Sequence, residues 1–131
     1  MTKGTLFLIP VPLSENAAHK SFTAYVGETI NNLSTYIVEN EKTARKFLKE
    51  AGIKIPQSEL VIHDYGKHKR NDSMVPYFKE LMTGKDVGLM SEAGCPGVAD
   101  PGAEVVLEAH KRGIKVLPLV GPSSILLALM A

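Results

Sequence analysis

The sequence predicts an α/β domain in which a mostly parallel five-stranded sheet forms the middle of three layers, with helices on both faces. Short apolar runs of strand length alternate along the chain with segments whose apolar residues recur at the helical period. Glycine follows several of the helical segments, as expected at helix ends. The 131 residues, of which 44% are hydrophobic, suit one domain with a real core.

The elements follow one another in strict alternation, and right-handed crossovers then make the sheet largely parallel. Strands are predicted at Thr5–Ile9, Thr35–Val38, Leu60–Ile62, Val87–Met90 and Ile114–Val120. Helices are predicted at Ser21–Asn32, Glu41–Ala51, Asp72–Thr83, Pro101–Arg112 and Pro122–Ala131. The helical period predicts inward-facing residues on the second and third helices: Ala44, Phe47 and Leu48, then Val75, Phe78, Leu81 and Met82. Pro118 cannot donate a ladder hydrogen bond, so its strand is expected at an edge.

Composition narrows the functional classes. The net charge is +1, which gives no sign of a charge-driven partner, and Cys95 is the single cysteine, which fits a reducing compartment. No signal peptide and no apolar stretch of membrane-spanning length is visible, so a cytoplasmic protein is expected. His19 and His110 have no partner ligand at a suitable spacing, and no metal is assigned.

The segment Ser91–Gly102 is the most informative stretch of the chain. It follows an apolar strand, is dense in glycine and proline, and closes on Asp-Pro-Gly, where Asp100 suits an N-cap and Pro101 the first helical position. Strand-to-helix loops usually need fewer residues, which favours a binding loop over a plain connection. Ligands of open α/β sheets bind beyond the carboxyl ends of the strands. The loops at Pro10–Ser14 and Gly121–Ser124 are expected to converge with it.

Four motifs resemble the tetrapyrrole methylase superfamily of S-adenosylmethionine-dependent methyltransferases. The family's Ser-Asp-Ala-Gly-Thr-Pro-Gly-Ile-Ser-Asp-Pro-Gly is matched by Ser91–Gly102 nearly position for position. The opening Gly4–Leu13, the acidic motif Glu39–Lys42 with the residues from Arg45 onward, and Gly121–Ser124 match less closely. Within the superfamily the chain looks closest to the branch of the ribosomal RNA small-subunit methyltransferase I, which methylates a ribose 2′-hydroxyl.

The resemblance implies a two-domain, homodimeric enzyme that holds S-adenosylmethionine in the cleft between its halves. Residues 1–131 would then be the N-terminal domain, inactive alone, with the C-terminal half missing. The uniformly apolar helix at the end of the chain favours the same interpretation, although a helix buried in its own core is the simpler one. By family resemblance the donor-binding residues are Pro12, Ala93, Gly94, Cys95, Ser123 and Ser124.

Departures from the family pattern concern substrate binding more than donor binding. Ser14 stands where the family has glycine, while Asn40 and Lys42 replace the Asp and Arg of the acidic motif. Lysine cannot reproduce the planar two-donor fork of arginine. Glu39 is retained, and it is one of two candidate catalytic residues. Cys95, in place of Thr or Asp, is expected to be a small inert residue.

The other candidate catalytic residue is His63, because a neutral-pH base suits a hydroxyl acceptor. A histidine bonded to a neighbouring carbonyl at a strand end is the commoner situation. The basic run Lys67–Arg70 would attract RNA, and a solvated loop explains it equally well.

The sequence therefore favours an RNA methyltransferase, with a tetrapyrrole methyltransferase as the alternative. A nucleotide-binding or interaction domain that has lost catalysis is the competing class, supported by the altered acidic motif. A P-loop or dinucleotide-binding domain fails, because neither glycine signature follows the first strand.

Overall fold

The structure is a computed structural model, and it describes residues 2–13, 22–67, 72–92, 94–95 and 102–131. In this part the strands are β1 (Thr5–Ile9), β2 (Thr35–Val38), β3 (Val61–Asp64), β4 (Val87–Met90) and β5 (Lys115–Pro118). The helices are α1 (Ala24–Ile30), α2 (Glu41–Glu50), α3 (Val75–Met82), α4 (Gly102–Lys111) and α5 (Ser124–Met130). Short 3₁₀ turns lie at Gln57–Glu59 and Tyr65–Lys67.

The strands form one sheet in the order β3-β2-β4-β1-β5, and every neighbouring pair is parallel. All carboxyl ends therefore lie along the same edge of the sheet. Strand β5 is at one margin, which confirms the edge position predicted from Pro118. The two strands that end in the motif-bearing segments, β1 and β4, are adjacent near the middle, with Ile9 paired with Met90 at their ends.

Two apolar clusters cover the two faces of the sheet, so the predicted three-layer α/β architecture is confirmed. Helices α1 and α2 pack on one face, where Ile9, Val38 and Met90 are fully buried. Helices α3 and α4 pack on the other face, over Ile37 and Leu89. The alternation of side chains along each strand separates the two sets.

A close approach at the sheet centre explains one glycine. A Cβ at Gly88 would lie 2.8 Å from the ring of Tyr36, so a larger residue there would displace the ring. The Tyr36 hydroxyl donates to the carbonyl oxygen of Ile30 at 3.1 Å, which ties β2 to the end of α1. Burial raises the pKa of Tyr36 well above its usual value.

Several predicted boundaries and faces need correction. Strand β3 begins and ends later than predicted, so His63 lies inside the strand rather than after it. Helix α3 is shorter than predicted, and Val75 and Met82, expected to face inward, are 58% and 38% exposed. Val75 is the first residue of the helix, and its amide donates to the Ser73 hydroxyl at 3.1 Å. The inward positions Ala44, Phe47, Leu48, Phe78 and Leu81 are confirmed as buried.

Candidate functional site: three loops at the carboxyl edge of the sheet

The loops that follow β1 and β4 are joined by backbone hydrogen bonds. Val11 and Gly94 form an antiparallel bridge in which each amide donates to the other residue's carbonyl oxygen at 3.0 Å. This bridge lies immediately beyond the carboxyl ends of two adjacent parallel strands. It fixes the first loop against the segment that carries the most specific motif of the sequence.

The loop after β5 joins the same group. The Cys95 thiol donates to the carbonyl oxygen of Pro122 at 3.2 Å. A Cβ at Gly121 would overlap the ring of Pro10, so the first and third loops are packed backbone to ring. The expected convergence of the three loops is thus present among the described residues. Burial raises the pKa of the Cys95 thiol, which disfavours the reactive thiolate.

The three loops form a loop cluster, and Gly94 occupies the point where they meet. Its φ of +74° lies in the left-handed region that favours glycine. A Cβ there would lie 3.2 Å from the Leu13 side chain and 3.3 Å from the carbonyl oxygen of Pro122, which belong to the other two loops. Both the backbone angle and the space therefore require glycine at this position.

The remaining candidate donor-binding residues lie around this point. Pro12 directly follows the bridge, and Ser123 and Ser124 stand at the start of α5. The Ser123 hydroxyl accepts from the Leu126 amide at 3.4 Å, so it serves as the helix cap, whereas Ser124 is exposed. Ala93 lies outside the described residues, as do 96–101 of the same loop.

The acidic motif lies at the start of α2. Asn40 is the N-cap of the helix, and its side-chain oxygen accepts from the Thr43 amide at 2.9 Å. Asparagine and aspartate cap helices equally well, so the replacement of Asp preserves this structural role. The amide of Glu39 donates to the carbonyl oxygen of Met90 at 3.1 Å, which places Glu39 beside the end of β4 and next to the loop cluster.

Asp64 is a contributor to this region that sequence reasoning missed. Its carboxylate accepts from the Glu41 amide at 3.0 Å and so joins the end of β3 to the first turn of α2. The adjacent Gly66 leaves no room for a Cβ against the carbonyl of Glu39. The local sequence could not predict this contact, because it joins residues 23 positions apart that only the β2–β3 register brings together.

His63 lies away from the loop cluster. Its register partner Ile37 belongs to the α3 face, and β2 separates β3 from β4. The Nε2 atom of His63 lies 3.7 Å from Oε2 of Glu80 on α3, which is longer than a hydrogen bond. The imidazole also packs against the Tyr77 ring, with the centroids 5.8 Å apart. Burial, together with Asp72 and Asp64, raises the pKa of Tyr77.

The structure therefore does not bring His63 and Glu39 together: Glu39 follows β2 beside β4, and His63 lies under α3. The basic run Lys67–Arg70 is not described, since residues 68–71 and the side chain of Lys67 lie outside the described residues.

A cavity of about 600 Å³ opens beside the first loop. Val11, Pro12 and Phe47 form its apolar part, and Lys42, Lys46 and Glu92 contribute charged groups. It lies between the first loop, the outer face of α2 and the start of the loop after β4.

Comparison with known proteins gives one consistent match. Ribosomal RNA small subunit methyltransferase I from Synechocystis is 28% identical over 98% of this chain. The proteins of that name from Halalkalibacterium halodurans and Bacillus subtilis are 31% and 30% identical, again over 98% of the chain. The chain is similar to these methyltransferases throughout its length. It spans 41% to 43% of the length of these three relatives. No family model matches the chain.

The described residues contain neither a candidate membrane span nor a candidate metal cluster. No helix among them has both the length and the apolar character needed to span a membrane. In the same residues, no group of three or more His, Cys, Asp or Glu side chains is placed to hold a metal ion.

Proposed function

We propose that this domain binds S-adenosylmethionine and belongs to a methyltransferase acting on ribosomal RNA. The observation that carries the proposal is the junction at Gly94, where three strand-end loops meet in a chain similar to rRNA methyltransferases over 98% of its length. Open α/β sheets bind their ligands at this edge. The relatives' names support an RNA acceptor over a tetrapyrrole.

The donor would lie against Pro12, Gly94, Cys95 and the Ser123–Ser124 segment, together with Ala93. The residues present fit such a ligand, because glycine at position 94 keeps the backbone of the three loops close together at the carboxyl edge of the sheet, with no side chain of its own in the way. Backbone N–H and C=O groups beside an apolar wall suit a zwitterionic amino acid joined to a nucleoside. The sulfonium of the donor supplies the methyl group and its own leaving group. The protein's task is then alignment.

For the acceptor we propose a ribose 2′-hydroxyl, with Glu39 as the stronger of the two candidate bases. Its backbone is bonded to the end of β4, whereas His63 packs under α3. The competing proposal is a domain without catalysis, which the replacement of the motif's Asp and Arg by Asn40 and Lys42 favours. A homodimer in the cytoplasm completes the proposal.

Donor binding is tested with the variant Gly94→Val. S-adenosylhomocysteine is titrated into the 131-residue chain and amide NMR shifts are followed, since this measurement detects weak complexes. We expect shifts at Val11, Gly94 and Ser124 in the wild type and none in the variant. A branched side chain would strain the backbone at φ +74° and would occupy the junction.

The matched control is Gly52→Val. Gly52 has a similar φ of +81° but open space around its Cβ position, and it lies at the end of α2, away from the loops. It carries the backbone strain, roughly 1–2 kcal/mol, without filling the junction. Equal loss of binding in both variants would mean that general destabilisation is responsible. Shifts elsewhere in the domain, with none at the three loops, would contradict the proposed donor site.

A further inference from the structure

The cavity beside α2 adjoins the Gly94 junction and shares the first loop with it, since Val11 and Pro12 border the cavity. Lys42, Thr43, Lys46 and Phe47 all border it, and they form one continuous face of α2 because residues three and four apart are neighbours on a helix. Its volume of about 600 Å³ is within the range of small-molecule sites.

The polar groups of the cavity have a definite arrangement. Lys42 and Lys46 are exposed and project from successive turns. Arg45, between them in the sequence, bonds the Glu41 carboxylate at 2.9 Å and the carbonyl oxygen of Gln57. Lys46 also has an interaction partner of its own. Glu92, the second residue beyond β4, borders the cavity next to the loop cluster.

The apolar part of the cavity lies between these charged groups. Phe47 is 5% exposed and makes an edge-to-face contact with Phe22, so only a small part of its surface, beside Val11 and Pro12, faces the cavity. An apolar aromatic wall with cationic groups on one side and a carboxylate on another matches the surfaces of a nucleotide. The base is flat and apolar, the phosphate is anionic, and the ribose carries hydroxyl donors.

We propose that this cavity holds one ribonucleotide unit of an RNA substrate, with Lys42 and Lys46 contacting its phosphates and Glu92 accepting from its ribose hydroxyls. The proposal rests on the proposed function and deepens it by locating the acceptor's entry. Glu50 borders the far end of the cavity and would repel a second phosphate there, which favours one nucleotide orientation. The methyl donor has no phosphate, so the lysines distinguish this cavity from the donor site.

The main test compares two double variants that change the net charge equally. Lys42→Ala with Lys46→Ala removes both cations of the cavity. Lys49→Ala with Lys54→Ala removes two exposed lysines that do not border it. The probe is a short single-stranded oligoribonucleotide of mixed sequence, and its affinity for the 131-residue chain is measured over a range of salt.

We expect the cavity variant to lower the log–log salt slope by about 1.4, or roughly 0.7 for each lost phosphate contact. From about 50 to 200 mM salt, the wild type should then lose about sevenfold more affinity than the cavity variant loses. The control pair should keep the wild-type slope. Equal slopes in the two double variants would overturn the proposal.

Two further variants distinguish binding of RNA in the cavity from nonspecific attraction of RNA by positive charge. Thr43→Phe fills the cavity without changing the charge, and it should weaken binding of the oligoribonucleotide while the circular dichroism spectrum is preserved. Glu92→Gln should reduce the preference for the oligoribonucleotide over its DNA counterpart, because a ribose hydroxyl loses its carboxylate acceptor. Retention of full affinity in Thr43→Phe would exclude the cavity.

Competition between S-adenosylhomocysteine and the oligoribonucleotide shows which ligand the cavity binds. It also tests the cavity independently of the donor site. S-adenosylhomocysteine should not displace the oligoribonucleotide, since the two ligands occupy adjacent sites. Displacement would assign the cavity to the donor's adenosine and overturn the nucleotide proposal. Tight binding of any of the four free ribonucleoside monophosphates without binding of the oligoribonucleotide would assign it to a free nucleotide. Binding of S-adenosylhomocysteine at Gly94 with no effect of Lys42 and Lys46 would leave the donor site standing and remove this one.

Discussion

Helices α2 and α5 both begin at a capping side chain, yet they relate to the sheet in opposite ways. Helix α2 buries Ala44, Phe47 and Leu48 and exposes its charged residues. All seven residues of α5 are exposed, although five of them, Ile125, Leu126, Leu127, Leu129 and Met130, are large and apolar. The amphipathic pattern of α2 thus predicts that its apolar face packs inside the domain. The uniformly apolar α5 has no buried residue in this chain.

This contrast settles one sequence expectation. A terminal helix buried in its own core was the simpler interpretation of the apolar segment, and it is wrong: Leu129 and Met130 are 78% and 82% exposed. Helix α5, which Ser123 caps, follows the edge strand β5, and none of its residues is buried. The two helices should therefore differ sharply in what a substitution costs.

The largest expected change in the free energy of unfolding is that of Leu48→Ala on α2. Leu48 is fully buried, and its truncation should lower the free energy of unfolding by about 2–5 kcal/mol. The matched change Leu129→Ala on α5 should alter it by no more than about 0.5 kcal/mol, because an exposed side chain leaves no cavity. Urea denaturation measures both. Comparable losses would show that α5 packs against the domain in solution.

Removal of the helix caps should lower the free energy of unfolding by a smaller amount, and again more for α2 than for α5. Asn40→Ala removes the acceptor of the Thr43 amide and should cost about 1 kcal/mol, whereas Asn40→Asp should be neutral. Ser123→Ala removes a longer cap bond on a helix that no packing couples to the core, so its effect on global unfolding should be minimal. The midpoints of urea unfolding compare the three variants. A larger cost at Ser123 than at Asn40 would contradict the comparison.

The same contrast explains what the sequence could predict. Strands β1, β2 and β4 were predicted to the residue, because buried parallel strands appear as short apolar runs. The edge strand β3 was misplaced, because its exposed positions, such as Val61 at 42%, blur the apolar run. The alternation of elements sufficed for the three layers, while the strand order needed the structure.

For the candidate site, motif resemblance located the three loops, and parallel topology predicted their convergence. The sequence alone could not supply the particular contacts, because they join distant positions: Val11 with Gly94, Cys95 with Pro122, and Asp64 with Glu41. His63 was proposed from its residue type, its predicted place at a strand end and the family resemblance there. Its packing under α3 depends on strand register, which a one-residue shift would reverse.

The last prediction concerns α5, where substitutions should leave the fold unchanged and alter assembly instead. Contiguous exposed apolar surface promotes association, so the 131-residue chain is expected to form at least a dimer in solution. Leu126→Glu or Leu129→Glu should shift it toward monomer with no change in the urea midpoint, because both side chains are 60% or more exposed. Glu104→Gln, on the exposed face of α4, is a control that should not alter assembly. Light scattering over a range of concentrations measures the effect. A wild-type chain that stays monomeric at high concentration would show that this apolar surface does not mediate self-association.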